Sequence, residues 1–205
     1  GMRFSGNVVL VAGGTGGLGR AVSRAFLEEG AAVIVTYRTQ DEFDALVQAA
    51  AANTSRLEGQ RVDVTDETAA RRLVEDVAAK YQRLDALVNT VGGYAGGVKL
   101  WDLETEVLDR MLALNLRSGY ALSRAGVPVM LKQARGSIVN IAAKAAFDHP
   151  AGAAAYAASK AAALAMMASL AAELTGTGVR VNSVLPNIID TEANRQAMPT
   201  ADFAK

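Results

Sequence analysis

Tyr156 and Lys160 stand four residues apart in the alanine-rich stretch AGAAAYAASKAAALA. On a helix, positions i and i+4 share a face, so a phenol and an ammonium would be neighbours there. A free tyrosine has a pKa of about 10, too high to ionise at neutral pH. A nearby positive charge and hydrogen bonds to the phenolate bring it down. Tyr156 so placed gives a proton in a reduction and takes one in an oxidation. A site of this kind usually sets a hydroxyl against the substrate oxygen. Thirteen residues before Tyr156 the chain has Ala143 instead, next to Ala142. Loss of one such donor costs roughly 2.7–4 kcal/mol of barrier. Ser137 lies six residues too early on its strand to replace it, and the adjacent Lys144 is expected to point elsewhere.

A second constellation lies near the N-terminus. In VVLVAGGTGGLGRA, Gly13, Gly17 and Gly19 follow a β-rich run and open a helical pattern. Without Cβ atoms the chain turns sharply and lets a pyrophosphate approach its backbone, and the helix that follows offers free N–H groups and a positive dipole end. A tight turn alone also needs glycine, but the strand–loop–helix setting favours dinucleotide binding. The next apolar run ends in Tyr37-Arg38, where a carboxylate would grip a ribose 2′-hydroxyl. Arg38 instead suits a 2′-phosphate and favours NADP over NAD. Asp63 and Val64, at the end of the third strand, suit the adenine edge, or equally a surface turn.

The elements that position these residues alternate along the chain. Strand-like runs are Val8–Ala12, Ala32–Tyr37, Arg61–Asp63, Ala86–Asn89, Ser137–Ile141 and Arg180–Leu185. Helical patterns cover Gly19–Glu29, Gln40–Ala52, Thr68–Tyr81, Glu104–Leu131 with a bend near Gly126 and Pro128, and Ala153–Thr175. Near-continuous apolar strands between helices predict an α/β fold, a Rossmann-like doubly wound parallel sheet covered on both faces. The 205 residues suit one domain, taken as 2–205 because Gly1 ahead of Met2 reads as a leftover of expression. Zero formal net charge speaks against nucleic-acid and anionic-membrane partners. The absence of cysteine excludes disulfides and thiolate sites, and one histidine, His149, cannot build a metal cluster, so no metal is expected. No signal-peptide pattern is seen, and the Ala151–Leu174 stretch is interrupted by Tyr156, Ser159, Lys160 and Glu173, so a cytoplasmic location is expected.

These motifs together resemble the short-chain dehydrogenases/reductases over nearly the whole chain. AGGTGGLG is similar to that family's TGxxxGxG loop, which implies cofactor contacts from Gly13, Thr15, Gly17, Leu18 and Gly19. Asp63 matches the adenine-contacting aspartate, and Asn89-Thr90-Val91-Gly92 resembles the NNAG segment behind the cofactor, implying roles for Asn89 and Gly92. Asn115 matches the helix asparagine that anchors a proton-relay water, Tyr156 and Lys160 match YxxxK, and Lys160 also holds the nicotinamide ribose. Pro186 to Thr191 resembles PGxxxT, with Ile189 in the amide-contacting position and Thr191 closing the motif. The resemblance implies sheet order 3-2-1-4-5-6. It also implies a further helix and a final parallel strand, so the last helix and strand are expected to be missing and the sixth strand unpaired. Ala143 departs from the serine position.

GGYAGG, AAKAAFDHPAG and DTEANRQAMPTADF resemble the dihydropteridine reductase branch of that family, which also has small residues at the serine position. That resemblance implies a conjugated quinonoid or pterin-like substrate, with Tyr94 over its ring, Asn194 near it and Ala143 beside it. Arg38 departs from that branch, whose better-known members prefer NADH. The expectation is therefore a hydride-transferring reductase using NADP or NAD on a small molecule. Two alternatives remain: an alcohol or ketone dehydrogenase with an atypical oxyanion donor, and a dinucleotide-binding sensor without catalysis. Trp101, Met166 and Met167 suit core packing or a subunit face, His149 a loop near the substrate mouth, and the alanine-rich helix a homodimer or homotetramer.

Overall fold

Five consecutive buried residues, Val8–Ala12 (VVLVA), form strand β1, and a run that is apolar on both faces suits the middle of a covered parallel sheet. A computed structural model describes residues 1–203 and places β1 between β2 (Ala32–Tyr37) and β4 (Ala86–Asn89). β3 (Leu57–Arg61) pairs with β2, β5 (Gly136–Ile141) with β4, and β6 (Val179–Val184) with β5, all parallel. The order is β3-β2-β1-β4-β5-β6, as expected, with β6 at the edge among the described residues.

Alternation along the strands sends side chains to two separate cores. Val8, Leu10, Ile34, Leu87 and Ile138 pack with α3 (Glu67–Tyr81), α5 (Ser118–Lys132) and α7 (Ala154–Glu173). Val9, Val11, Val33 and Val35 pack with α1 (Gly17–Glu28) and α2 (Gln40–Ala50). The short helices α4 (Thr105–Leu112), α6 (Ala145–Asp148) and α8 (Glu192–Ala197) lie in the segments that run toward the carboxyl ends of the strands. Successive strands are added outward in one direction through β2 and β3 and in the other from β4 onward, and this switch at β1 opens a crevice at those ends. α7 is long and apolar enough to cross a membrane by length and composition, but it buries Ser159, Lys160, Ala163 and Met167 within this domain.

Four expectations need correction. The third strand is Leu57–Arg61, so Asp63 and Val64 follow it rather than end it; Phe43 packs where a Cβ on Gly59 would sit, a contact that draws this polar segment into the sheet. The second helix stops at Ala50, because Ala51 takes a positive φ of 47° and a 3-10 turn follows over Ala51–Arg56. The helix from Thr105 breaks its α pattern at a π-helical turn over Ala113–Arg117, while α5 continues through Gly126 and Pro128. Such single π turns mark places where a helix bends its hydrogen bonding around a functional group, here Asn115. Of the two places expected for Trp101, a core or a subunit face, the core is ruled out: it is 80% exposed on a short 3-10 turn.

Candidate active site and dinucleotide loop

The glycine loop leaves β1 through Gly13, whose φ of +72° suits glycine. Its N–H donates to Thr36 Oγ1 at 2.8 Å, and the Thr90 hydroxyl donates to the carbonyls of Ala12 (2.6 Å) and Gly13 (3.0 Å). A Cβ on Gly19 would overlap the Gly13 carbonyl oxygen, so the helix starts hard against the turn. Ser23 seals the inside, donating to the carbonyls of Gly14 and Gly19. Gly16 caps α1 without any side-chain hydrogen bond, which leaves the first-turn N–H groups of Gly17, Leu18 and Gly19 directed at the crevice. This open, uncapped helix end fits a pyrophosphate. Thr36 and Thr90 have structural roles that the glycine spacing did not reveal.

Around the loop the expected contacts divide. Asn89 is buried and donates from Nδ2 to Ser118 Oγ and Asn140 Oδ1, while its Oδ1 accepts from the Val91 N–H; it shapes the floor of the crevice. Asp63 accepts from both the N–H and the hydroxyl of Thr65, so its carboxylate holds a turn, and Val64 beside it is buried. Thr15 donates its hydroxyl to Glu42 at 3.4 Å, a contact that sequence spacing did not signal. Arg38 is exposed just beyond β2, with no ion pair among the described residues. The segment after β6 folds back toward the loop: a Cβ on Gly17 would stand 2.7 Å from Thr191 Cγ2. Thr191 also caps α8, accepting from the Asn194 N–H. The Pro186 carbonyl accepts from the Lys144 N–H, which ties this segment to the loop after β5.

The residues expected to handle the proton gather where α7 meets β4 and β5. Lys160 is buried and donates to the Ile141 carbonyl at 2.9 Å, at the end of β5. Burial pulls its pKa down to about 8. A Cβ on Gly92 would come within 3.0 Å of Asn115 Oδ1 and 3.3 Å of Lys160 Nζ, so a side chain there would crowd both groups. Asn115 Oδ1 accepts from the Gly93 N–H at 2.9 Å, and its Nδ2 donates to the Gly93 carbonyl and to Ser159 Oγ, both at 3.0 Å. Its side chain thus fixes the Gly92-Gly93 loop to α7. Ser159, adjacent to Lys160, was missed; its hydroxyl donates to the Tyr156 carbonyl and accepts from Asn115.

Tyr156 departs from the electrostatic expectation. Its pKa is raised, first by burial and then by Tyr94, and Lys160 Nζ stands 6.0 Å from its ring centroid. In the protein alone, desolvation and the neighbouring phenol both favour the neutral form. The Tyr94 ring meets Tyr156 edge-on, with centroids 5.0 Å apart. Ala143 is buried and presents a methyl group where a hydroxyl was sought. Lys144 is exposed and pairs with Asp148, as expected of a residue pointing elsewhere. Asn194 donates one amide N–H to the Ile189 carbonyl at 2.8 Å, which anchors the turn. His149 caps α6 in a left-handed conformation and lines an apolar cavity of about 600 Å³ with Leu100, Trp101 and Pro150. No cluster of metal-ligating side chains exists among the described residues.

The glycine loop, the parallel sheet order and the Tyr156–Lys160 pair agree with one family, and residues 7–202 match the short chain dehydrogenase family. This chain belongs to that family. Short chain dehydrogenases are NAD(P)-dependent oxidoreductases, and the uncapped α1 terminus fits that cofactor's pyrophosphate. When bound, the nicotinamide supplies or accepts the hydride. The 3-oxoacyl-acyl-carrier-protein reductase FabG of Thermotoga maritima is 35% identical over 190 residues, which is 93% of this chain and 77% of that protein. The crystal structure of a short-chain dehydrogenase/reductase from Burkholderia xenovorans superposes with a TM-score of 0.91 at 35% identity, covering 97% of this chain and 81% of that one. ElxO, solved with NADP bound, superposes with a TM-score of 0.90 at 26% identity over 95% of this chain and 78% of its own.

Proposed function

We propose that this short chain dehydrogenase reduces a small conjugated substrate of the quinonoid or pterin-like class, with Tyr156 as the acid and Lys160 beside it. The observation that carries this reading is the pairing of an assembled Tyr156–Lys160–Gly92 corner with a buried methyl at Ala143. A simple ketone needs a donor at the developing oxyanion, whereas a conjugated ring spreads that charge over its own polar atoms. The raised pKa of Tyr156 suits a group that must stay protonated until it gives its proton to a reduced ring. Resemblance to the dihydropteridine reductase branch supports the substrate class, and Tyr94, exposed beside Tyr156, supplies an aromatic wall for a flat ring. Exposed Arg38 supports NADPH as the preferred reductant. The test is a stopped-flow panel of quinonoid pterins, quinones and simple ketones with NADPH and NADH. Oxidation of neither cofactor by any ring substrate would end this reading.

A second reading, a ketone reductase with an atypical oxyanion donor, is favoured by the likeness to a 3-oxoacyl reductase. The same panel separates the two, since this reading predicts turnover of 3-oxoacyl thioesters over ring substrates. We further propose a homo-oligomer formed through α7, whose Ala158, Ala165, Ala168 and Ala172 are exposed small residues suited to close helix contact. Light scattering of the purified protein tests this.

A further inference from the structure

We propose that Glu42 is a cofactor-selecting residue that works against Arg38 at the ribose 2′ position, so that the enzyme accepts both NADH and NADPH. In the common arrangement the selecting group stands at the end of the second strand. Here that position offers Tyr37-Arg38 and no carboxylate. The tertiary fold supplies one from elsewhere: Glu42, in the first turn of α2, receives the hydroxyl of Thr15 at 3.4 Å. Thr15 lies inside the glycine loop, between Gly13 and Gly17, so the Glu42 carboxylate sits at the rim of the dinucleotide crevice beside the end of β2.

The position is held, not incidental. Tyr37 stacks on Phe43 with ring centroids 4.9 Å apart and planes 11° from parallel, and the Tyr37 hydroxyl donates to Gln40 Oε1 at 3.1 Å. These contacts lock the end of β2 to the first turn of α2, with Arg38 and Glu42 on the connected segment. Both side chains are exposed, and neither has an ion pair among the described residues. The cation and the anion therefore both remain available to a ligand. A carboxylate accepts a hydrogen bond from a 2′-hydroxyl and repels a 2′-phosphate, while a guanidinium does the reverse.

The inference rests on dinucleotide binding as proposed above, and equilibrium titration separates the two. NADPH and NADH are titrated by fluorescence into the wild-type protein and the variants Glu42→Gln, Arg38→Ala and Asp41→Asn. The expected result is that Glu42→Gln tightens NADPH by about fivefold or more while NADH is unchanged or weaker, and that this gain shrinks in high salt. Arg38→Ala moves the NADPH/NADH ratio the other way. Asp41→Asn removes the same charge one residue away and leaves the ratio within about twofold, because exposed charges not aimed at the ligand are screened. An unchanged ratio in Glu42→Gln, or an equal shift in Asp41→Asn, overturns the proposal. Failure of the wild-type protein to bind either dinucleotide overturns the functional reading itself.

Discussion

The edge of the Tyr94 ring rests on Tyr156 at a centroid distance of 5.0 Å and an interplanar angle of 74°. This geometry is attractive between aromatic rings, and it covers part of the Tyr156 side chain. A Cβ on Gly96 would overlap the Tyr94 hydroxyl, so the GGYAGG loop folds so that Tyr94 lies over its own glycine. Tyr94 is itself 63% exposed. It is therefore an exposed aromatic group beside Tyr156.

Replacing Tyr94 changes the titration of Tyr156. Burial is the first cause of the raised pKa and Tyr94 the second, so Tyr94→Ala weakens both and lowers it. In the oxidative direction, which needs the phenolate, the rising limb of the kcat profile moves to lower pH. Tyr94→Phe keeps the ring cover and moves it less. Equal profiles for wild type and Tyr94→Ala would show that the contact has no electrostatic consequence.

Lys160 carries a stability penalty at neutral pH. Its folded pKa of about 8 lies below the ordinary lysine value, so the unfolded chain binds more protons between the two. Stability from this group therefore rises with pH from about 8 to about 10.5, and below pH 8 the full penalty applies. Lys160→Met is expected to stabilise the cofactor-free protein at pH 7 by on the order of 2 kcal/mol. It should also abolish the rise, read as the difference between urea midpoints of variant and wild type, and cut turnover by roughly 100-fold or more.

Ala143→Ser restores the missing donor. Reduction of simple ketones is expected to rise by roughly tenfold or more, while turnover of quinonoid rings stays within about threefold. The new hydroxyl is buried, so a drop in stability of about 1–3 kcal/mol is expected if it finds no partner. Steady-state kinetics on both substrate types, with thermal melts alongside, reads the outcome.

Two glycines of the loop should respond differently. Gly19→Ala drives a methyl into the Gly13 carbonyl, so both folding stability and dinucleotide binding fall. At Gly16 the added Cβ meets only Gly13 O, at an ordinary 3.5 Å, and φ is −69°. Gly16→Ala should therefore keep the melting midpoint within the equivalent of about 1 kcal/mol. Its methyl stands at the uncapped end of α1, so dinucleotide affinity drops with little loss of stability. Titration and melting of the two variants separate the turn's need for glycine from the ligand's.

The sequence alone determined the alternation of strand and helix, the glycine loop at the end of β1, the pairing of Tyr156 with Lys160 and the absence of a hydroxyl at Ala143. Each depends on near neighbours: apolar periodicity, backbone freedom at glycine, or i,i+4 spacing on one helix. It misread the third strand because Leu57–Arg61 is polar, and its place in the sheet comes from pairing with β2. It placed the helix irregularity at Gly126 and Pro128, whereas α5 runs through both and the π turn surrounds Asn115. Only the tertiary structure decided that Asn115 holds Gly93 and Ser159, that Tyr94 covers Tyr156, and that Glu42 reaches Thr15. Those contacts join residues distant in the chain through loop conformations, which no local pattern encodes. The same holds for the protonation of the site: adjacency on a helix predicts an ammonium aiding a phenol, but the fold buries Lys160 and half-buries Tyr156, and desolvation pushes their pKa values toward the neutral forms.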